Sequence, residues 1–210
     1  MRLLLVRHGA TLDNEQKRYI GQTDVALSPR GVQQAATLGA CLAHEAMDII
    51  VTSDLQRARA TAGAIAYYHA VPLKEDTDLR EIARGVWEGV TYIEVQERHA
   101  DLLARWRHTP VECQIPGGET LIQLRDRVVR ALERWYTHSP EATVVWVTHV
   151  GVIQVVLCHL LNVDLNSWRR FYRGNASVTE VKVERVCGVL VGSIETSLMH
   201  MCEDPMPIVV

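Results

Sequence analysis

The chain has 210 residues, of which 48% are apolar and 22% charged, and its formal net charge is −3. These values exclude a disordered chain and a broad nucleic-acid or membrane-binding face, although a focused cationic pocket fits inside an acidic protein. The five cysteines (Cys41, Cys113, Cys158, Cys187 and Cys202) are odd in number and form no CxxC pair, which argues against a disulfide framework or zinc cluster and for reduced thiols in a cytoplasmic protein.

No linker rich in Pro, Gly or Ser divides the chain, and no apolar stretch approaches the ~20 residues of a membrane span. The first apolar run, Leu3-Leu4-Leu5-Val6, breaks at Arg7, too soon for a signal peptide. It predicts a buried strand that delivers Arg7, His8 and Gly9 to one end of a sheet, where open α/β sheets bind ligands. Residues 11–24 are polar and suit a loop over that end. Ser28 as N-cap and Pro29 at the first helical position open a helix over 29–44, with Val32, Ala35, Ala36, Leu38, Leu42 and Ala43 turned inward.

The run Asp48-Ile49-Ile50-Val51 predicts a second strand, ending in Thr52-Ser53-Asp54-Leu55-Gln56-Arg57. Leu55, Ala58, Ala62, Ile65 and Ala66 then repeat at helical spacing, with Arg57 near the strand end. Residues 71–79 suit a short strand leading into Arg80-Glu81-Ile82. Gly85-Val86-Trp87-Glu88-Gly89 reads as a glycine-flanked turn, and Thr91 with Glu94 forms a capping-box pattern that starts a helix reaching about Arg107. After a loop over 109–118, Leu121, Leu124, Val128, Leu132 and Trp135 mark a long amphipathic helix.

A third strand, over 143–147, ends at Thr148-His149 and is followed by a helix over 152–161. Such continuous apolar runs suit parallel strands covered on both faces. Residues 178–183 and 189–194 predict two more strands around Cys187-Gly188, and 199–210 reads as a tail.

Strands joined through helices run parallel, so three strand ends gather Arg7, His8, Ser53, Arg57 and His149 at one sheet edge. Two guanidiniums and two imidazoles, with helix N-termini beside them, make an anion site suited to phosphate. Trp87, Tyr92 and Trp106 fit either a substrate pocket or the core. From the residues alone, Glu81 and Glu88 are equal candidates for an acid. The acids of Asp76-Thr77-Asp78 and the run Arg125-Asp126-Arg127 read as solvated faces, and the remaining histidines as surface or core.

These residues resemble the histidine phosphatase superfamily, the phosphoglycerate mutase-like family. The resemblance rests on Leu5-Val6-Arg7-His8-Gly9-Ala10-Thr11 with Asn14, on Gly21-Gln22-Thr23-Asp24 with Leu27-Ser28-Pro29-Arg30-Gly31, and on the stretch from Ser53 to Ala62. It continues in Leu79-Arg80-Glu81-Ile82 with Gly85 to Gly89, in Pro116-Gly117-Gly118-Glu119-Thr120, and in Val147-Thr148-His149-Val150-Gly151. It implies a three-layer α/β/α sandwich with a mostly parallel sheet and an antiparallel edge strand, as a single domain over 1–198 followed by a C-terminal tail over 199–210.

The resemblance also implies chemistry. His8 would attack phosphorus to give a phosphohistidine, with a backbone carbonyl such as that of Gly9 fixing its tautomer. A reference pKa of ~6.5 makes the neutral, nucleophilic imidazole available near neutrality. Arg7, Arg57 and His149 would clamp the phosphoryl oxygens, with Thr11, Asn14, Gly21, Gln22 and Thr23 as weaker neighbours and Arg84, Trp87 and Tyr92 on the substrate side. Glu81 would give the leaving alkoxide its proton and later activate water. Neither metal nor cofactor is implied. The partner would be a small phosphomonoester rather than nucleic acid or membrane, with a homodimer allowed.

Glu81 is followed by Gly85-Val86-Trp87-Glu88-Gly89 rather than by the histidine-tyrosine-glycine element and long basic insertion of the sugar-phosphate mutases. The sequence is thus most similar to the phosphatase branch, near the α-ribazole-5′-phosphate phosphatases and the broad-specificity phosphatases. Phosphoglycerate mutase-type transfer and a non-catalytic phosphate-ligand binding protein on the same fold are the alternatives. Two residues depart from the family pattern: Ala10, where glutamate is frequent, and Arg84, whose charge would bias the pocket toward anionic substrates.

Overall fold

The computed structural model describes residues 1–185 and 187–195, so the expected tail over 199–210 lies outside the described residues. In chain order the main elements are β1 (Arg2–Arg7), α1 (Leu12–Glu15), α2 (Pro29–Cys41), β2 (Ile49–Thr52), α3 (Gln56–Ala66) and β3 (Leu73–Glu75). They continue with α4 (Tyr92–Arg98), α5 (Ala100–His108), α6 (Leu121–His138), β4 (Thr143–Thr148), α7 (Val150–Leu160), β5 (Ser177–Val183) and β6 (Gly188–Glu195). Four 3-10 turns, at Thr77–Leu79, Gly85–Trp87, Pro110–Glu112 and Leu165–Phe171, join them.

The sheet order is β3-β2-β4-β1-β5-β6. β1, β2, β3 and β4 run parallel, as their helical connections require, and β5 turns back antiparallel against β1 before pairing with β6 in an antiparallel hairpin. Alternate residues of each strand face opposite layers. Leu3 and Leu5 join Val144, Trp146, Leu124, Val128 and Ile153 in the core under α6 and α7. Leu4 and Val6 join Ile50, Val145, Leu38, Ala58 and Ile65 in the core under α2 and α3. The three-layer α/β/α sandwich follows from this alternation. Among the described residues no single helix is long and apolar enough to cross a membrane.

Several local expectations change. Ser28 caps α2 as expected, its hydroxyl accepting the Gly31 N–H at 3.1 Å. The helix ends at Cys41, however, and Val32 and Ala36 are exposed. The buried stripe is Gly31, Ala35, Leu38 and Gly39, whose centre lies about 75° around the helix from Val32. The expected helix from Thr91 to Arg107 breaks at His99, whose φ of −136° and ψ of 37° leave the helical region and separate α4 from α5. The strand expected over 71–79 shrinks to three exposed residues, because the Asp76 carboxylate accepts the Asp78 N–H and caps a 3-10 turn instead.

In the two stretches read as solvated faces, Arg125 and Asp126 do form an exposed pair, but Arg127 and Asp76 are structural. Arg127 is 9% exposed and pairs with Glu119 at 2.7 Å, while its remaining donors take the carbonyl oxygens of Asp78 and Glu81. Asp76 pairs with Arg134 and accepts the indole N–H of Trp135 at 3.1 Å.

Candidate active site

The C-terminal ends of β2, β4 and β1 lie side by side, and each delivers a polar residue. The His8 N–H bonds the Thr148 carbonyl at 3.0 Å and the Ser53 N–H bonds the Val147 carbonyl at 3.0 Å, so the three ends are stitched at one level. His8 and His149 stand with ring centroids 5.1 Å apart, and His149 Nε2 is 2.9 Å from the Ser53 hydroxyl. The expected gathering of strand-end side chains is what the parallel order produces.

His8 Nδ1 lies 2.7 Å from the carbonyl oxygen of Gly9. A carbonyl only accepts, so this nitrogen carries the proton and Nε2 keeps its lone pair. Gly9 is required here: a Cβ would meet the Gly31 carbonyl oxygen at 2.4 Å. Burial, then the positive charges of Arg57 and Arg7, hold His8 well below its ordinary pKa. Burial does the same to His149, with Arg57 and His8 next in effect.

Arg57 is 1% exposed and donates to the carbonyls of Thr23 at 2.9 Å and Gly21 at 2.8 Å. Arg7 donates to the Arg173 carbonyl and, at 3.2 Å, to the Tyr172 hydroxyl. The Nε atoms of both arginines, and Nδ1 of His149, are buried without a protein partner. Such donors favour a ligand oxygen strongly, since an unsatisfied buried polar group is costly.

Geometry separates the two competing acids. Glu81 is 5% exposed, its oxygens accepting the N–H groups of Ile82 at 2.8 Å and Gly151 at 3.2 Å, and it faces the same cavity as His8. Glu88 instead ties loops together, accepting the N–H groups of Gln22, Thr23 and Arg84 and the Thr23 hydroxyl. Burial pushes its pKa up, but these bonds outweigh burial and hold the carboxyl below its ordinary value.

The cavity above His8 measures about 650 Å³, with Arg7, His8, Arg57, Glu81, Asn14, Arg84 and Tyr92 among its lining residues. Other expected site residues stand behind this wall. Thr11 is fully buried as the N-cap of α1, its hydroxyl accepting the Asn14 N–H at 3.2 Å. Gly21, Gln22 and Thr23 serve Arg57 and Glu88 rather than the cavity. Trp87, expected on the substrate side, is fully buried and meets Trp106 edge-to-face at 6.3 Å, as a core residue.

The wall also includes Tyr19 and, beyond what sequence reasoning placed in the site, Arg18, Ile20, Arg107, His108, Val150, Gln154, Trp168, Arg169 and Tyr172. Gln154 carried a usable signal, as the one polar residue in the apolar run Val150-Gly151-Val152-Ile153-Gln154-Val155-Val156-Leu157. Arg107 and His108 end α5 and Val150 opens α7, while the others sit in connecting segments without local pattern. A second, open groove of about 740 Å³ around Asp24, Arg59 and Glu75 contains neither His8 nor Arg7.

The family model of the histidine phosphatase superfamily (branch 1) matches residues 3–195. The chain belongs to the histidine phosphatase superfamily. Among curated superfamily relatives, it is 34% identical over 184 residues to phosphoserine phosphatase 1 of Hydrogenobacter thermophilus, covering 88% of this chain and 87% of that protein. It is 33% identical over 174 residues to the glucosyl-3-phosphoglycerate phosphatase of Mycolicibacterium vanbaalenii, covering 80% and 77%. Among solved structures, a mycobacterial glucosyl-3-phosphoglycerate phosphatase in complex with VO3 superposes with a TM-score of 0.85 at 28% identity, over 91% of this chain and 97% of that one. The α-ribazole phosphatase of Shigella flexneri gives a TM-score of 0.82 at 25% identity, over 90% and 94%.

Proposed function

We propose that this protein is a metal-independent phosphomonoester hydrolase that passes the phosphoryl group of a small metabolite through a phosphohistidine to water. The observation that carries this reading is the His8–Gly9 contact, which leaves the Nε2 lone pair free beside Arg7, Arg57 and Glu81.

His8 Nε2 attacks phosphorus opposite the ester oxygen, so that the P–N bond forms as the P–O bond to the alcohol breaks. Glu81 gives its proton to the leaving alkoxide. Water then yields a proton to Glu81 as its oxygen attacks phosphorus, breaking the P–N bond and releasing orthophosphate with His8 restored. Arg7, Arg57 and His149 hold the phosphoryl oxygens throughout. Phosphoryl transfer depends mainly on positioning and charge stabilisation, and two guanidiniums supply the positive charge that a metal ion would otherwise bring.

For the leaving alcohol, α-ribazole 5′-phosphate is supported by the likeness to the Shigella flexneri α-ribazole phosphatase at 25% identity. The relatives at 33–34% identity are named for phosphoserine and glucosyl-3-phosphoglycerate, which favours a phosphorylated acid.

The test is phosphate release from p-nitrophenyl phosphate at mildly acidic pH with EDTA present, together with trapping of an acid-labile phosphoprotein. Turnover in EDTA that is lost in His8→Ala is the expected result. No release by the unmodified protein, or undiminished release by His8→Ala, would overturn the reading.

A further inference from the structure

β2 and β4 pair in parallel with Thr52 opposite Val147, and the Ser53 N–H reaches the Val147 carbonyl at 3.0 Å. This register sets the residue just beyond one strand end against the residue just beyond the other. Ser53 and His149 are both fully buried, and the Ser53 hydroxyl oxygen lies 2.9 Å from His149 Nε2. His149 stands at the N-cap of α7 but makes no side-chain capping bond, so its ring is left to Ser53.

Counting donors and acceptors decides which partner donates. The Ser53 hydroxyl oxygen accepts the Leu55 N–H at 3.4 Å, and among the described residues its own proton has no acceptor other than His149 Nε2. If Nε2 carried a proton, the hydroxyl would accept twice and its proton would be buried without a partner, which is costly. A doubly protonated ring meets the same objection. With the ring proton on Nδ1 instead, the hydroxyl donates to the Nε2 lone pair and both groups are satisfied. That bond favours the neutral imidazole, in the same direction as the burial that holds His149 below its ordinary pKa.

The consequence falls on Nδ1. It is buried without a protein partner, and its ring stands 5.1 Å, centroid to centroid, from the ring of His8. The charged side chains that act on His149 are the cations Arg57, Arg127 and Arg7, none of which can accept a hydrogen bond. The oxygens of a phosphoryl group on His8 would supply the missing acceptor. A neutral donor suits a site that already buries two guanidiniums, because it adds no further positive charge. The two imidazoles thus hold one tautomer for opposite ends: the Gly9 carbonyl frees a lone pair on His8, and the Ser53 hydroxyl frees an N–H on His149.

We propose that Ser53 is a positioning residue for phosphoryl transfer, its hydroxyl fixing the Nδ1–H tautomer of His149 so that this N–H meets phosphoryl oxygens on His8. The use of the N–H rests on the phosphatase reading above, whereas the tautomer and its dependence on Ser53 do not.

Long-range proton–nitrogen correlation spectra at about pH 7.5 read the tautomer directly, with His149→Gln identifying the His149 signals. The unmodified protein should show His149 protonated on Nδ1 alone, and bound inorganic phosphate should shift that Nδ1. In Ser53→Ala the proton should pass to Nε2, and kcat/KM for p-nitrophenyl phosphate should fall about tenfold or more, as expected for loss of one charge-assisted hydrogen bond. Ser53→Thr, which keeps the hydroxyl, should restore the Nδ1–H signal and most of the rate.

A proton on Nε2 in the unmodified protein, phosphate that binds without moving Nδ1, or an unchanged tautomer in Ser53→Ala would overturn the proposal. A Ser53→Ala rate loss with the tautomer intact counts against it equally, since that is what a merely structural serine would give. The spectra need no turnover, so they decide the role of Ser53 even if p-nitrophenyl phosphate is not hydrolysed, the result by which the phosphatase reading fails.

Discussion

The 2.7 Å contact between His8 Nδ1 and the Gly9 carbonyl oxygen decides which nitrogen of the imidazole is free to react. It depends on a close approach of the backbone, since Gly9 leaves no room for a Cβ against the Gly31 carbonyl. Gly9→Ala should therefore displace the loop that holds the tautomer. The expected outcome is about 1–3 kcal/mol lower stability with a larger fall in kcat than in thermal stability would explain. Denaturant melts and steady-state kinetics on the same preparation would check it, and unchanged kcat would count against the contact.

His8 and His149 both have pKa values well below the ordinary 6.5, chiefly through burial. The unfolded chain binds these protons near pH 6.5 and the folded one does not, so stability rises with pH below that value and is lost on acidification. Each histidine should contribute a slope of up to about 1.4 kcal/mol per pH unit below pH 6.5, until the folded state itself takes the proton. Denaturant unfolding between pH 7.5 and 5 should show this, and His8→Asn should remove about half of it. A flat profile would contradict the buried, neutral pair.

Glu81→Gln and Glu88→Gln should separate cleanly. Loss of the general acid should lower kcat about 10²–10⁴-fold for alkyl phosphates, and less for p-nitrophenyl phosphate, whose leaving group needs little protonation. Glu88→Gln weakens the anchor of the Gln22–Thr23 loop and Arg84, so it should cost about 1–3 kcal/mol of stability and act mainly on KM. The reverse pattern in a kcat-against-KM comparison would exchange their roles.

Arg127 and Glu119 form an ion pair with side chains 11% and 13% exposed, and Arg127 also holds the carbonyl oxygens of Asp78 and Glu81. Removing one partner leaves a buried charge alone, so Arg127→Met should cost about 3–5 kcal/mol. Equilibrium unfolding would measure it, and a loss under about 1 kcal/mol would mean that the pair behaves as a surface one.

Much of the centre was legible because it is encoded locally. Each of the runs at Leu3, Ile49 and Val144 is apolar enough to be buried on both faces, each is followed by a helix, and helical crossovers make strands parallel. The positions of Arg7, His8, Ser53, Arg57 and His149 at one edge follow from those facts alone. The sheet order and the His8–His149 approach bear this out.

What only the tertiary structure decided is which side of a wall each remaining polar or aromatic residue takes. Glu81 and Glu88 are seven positions apart and of the same residue type, yet one faces His8 and the other is bound by loop amides more than sixty residues away. Trp87 is in the core and Tyr92 in the cavity; Thr11 caps a helix; Arg127 is buried; Gln154, Arg169 and Tyr172 arrive from elements far along the chain. A residue's period along its own element sets whether that element can pack. Its exposure, hydrogen bonds and charge partners come from segments distant in sequence, and these exist only once the three layers have closed.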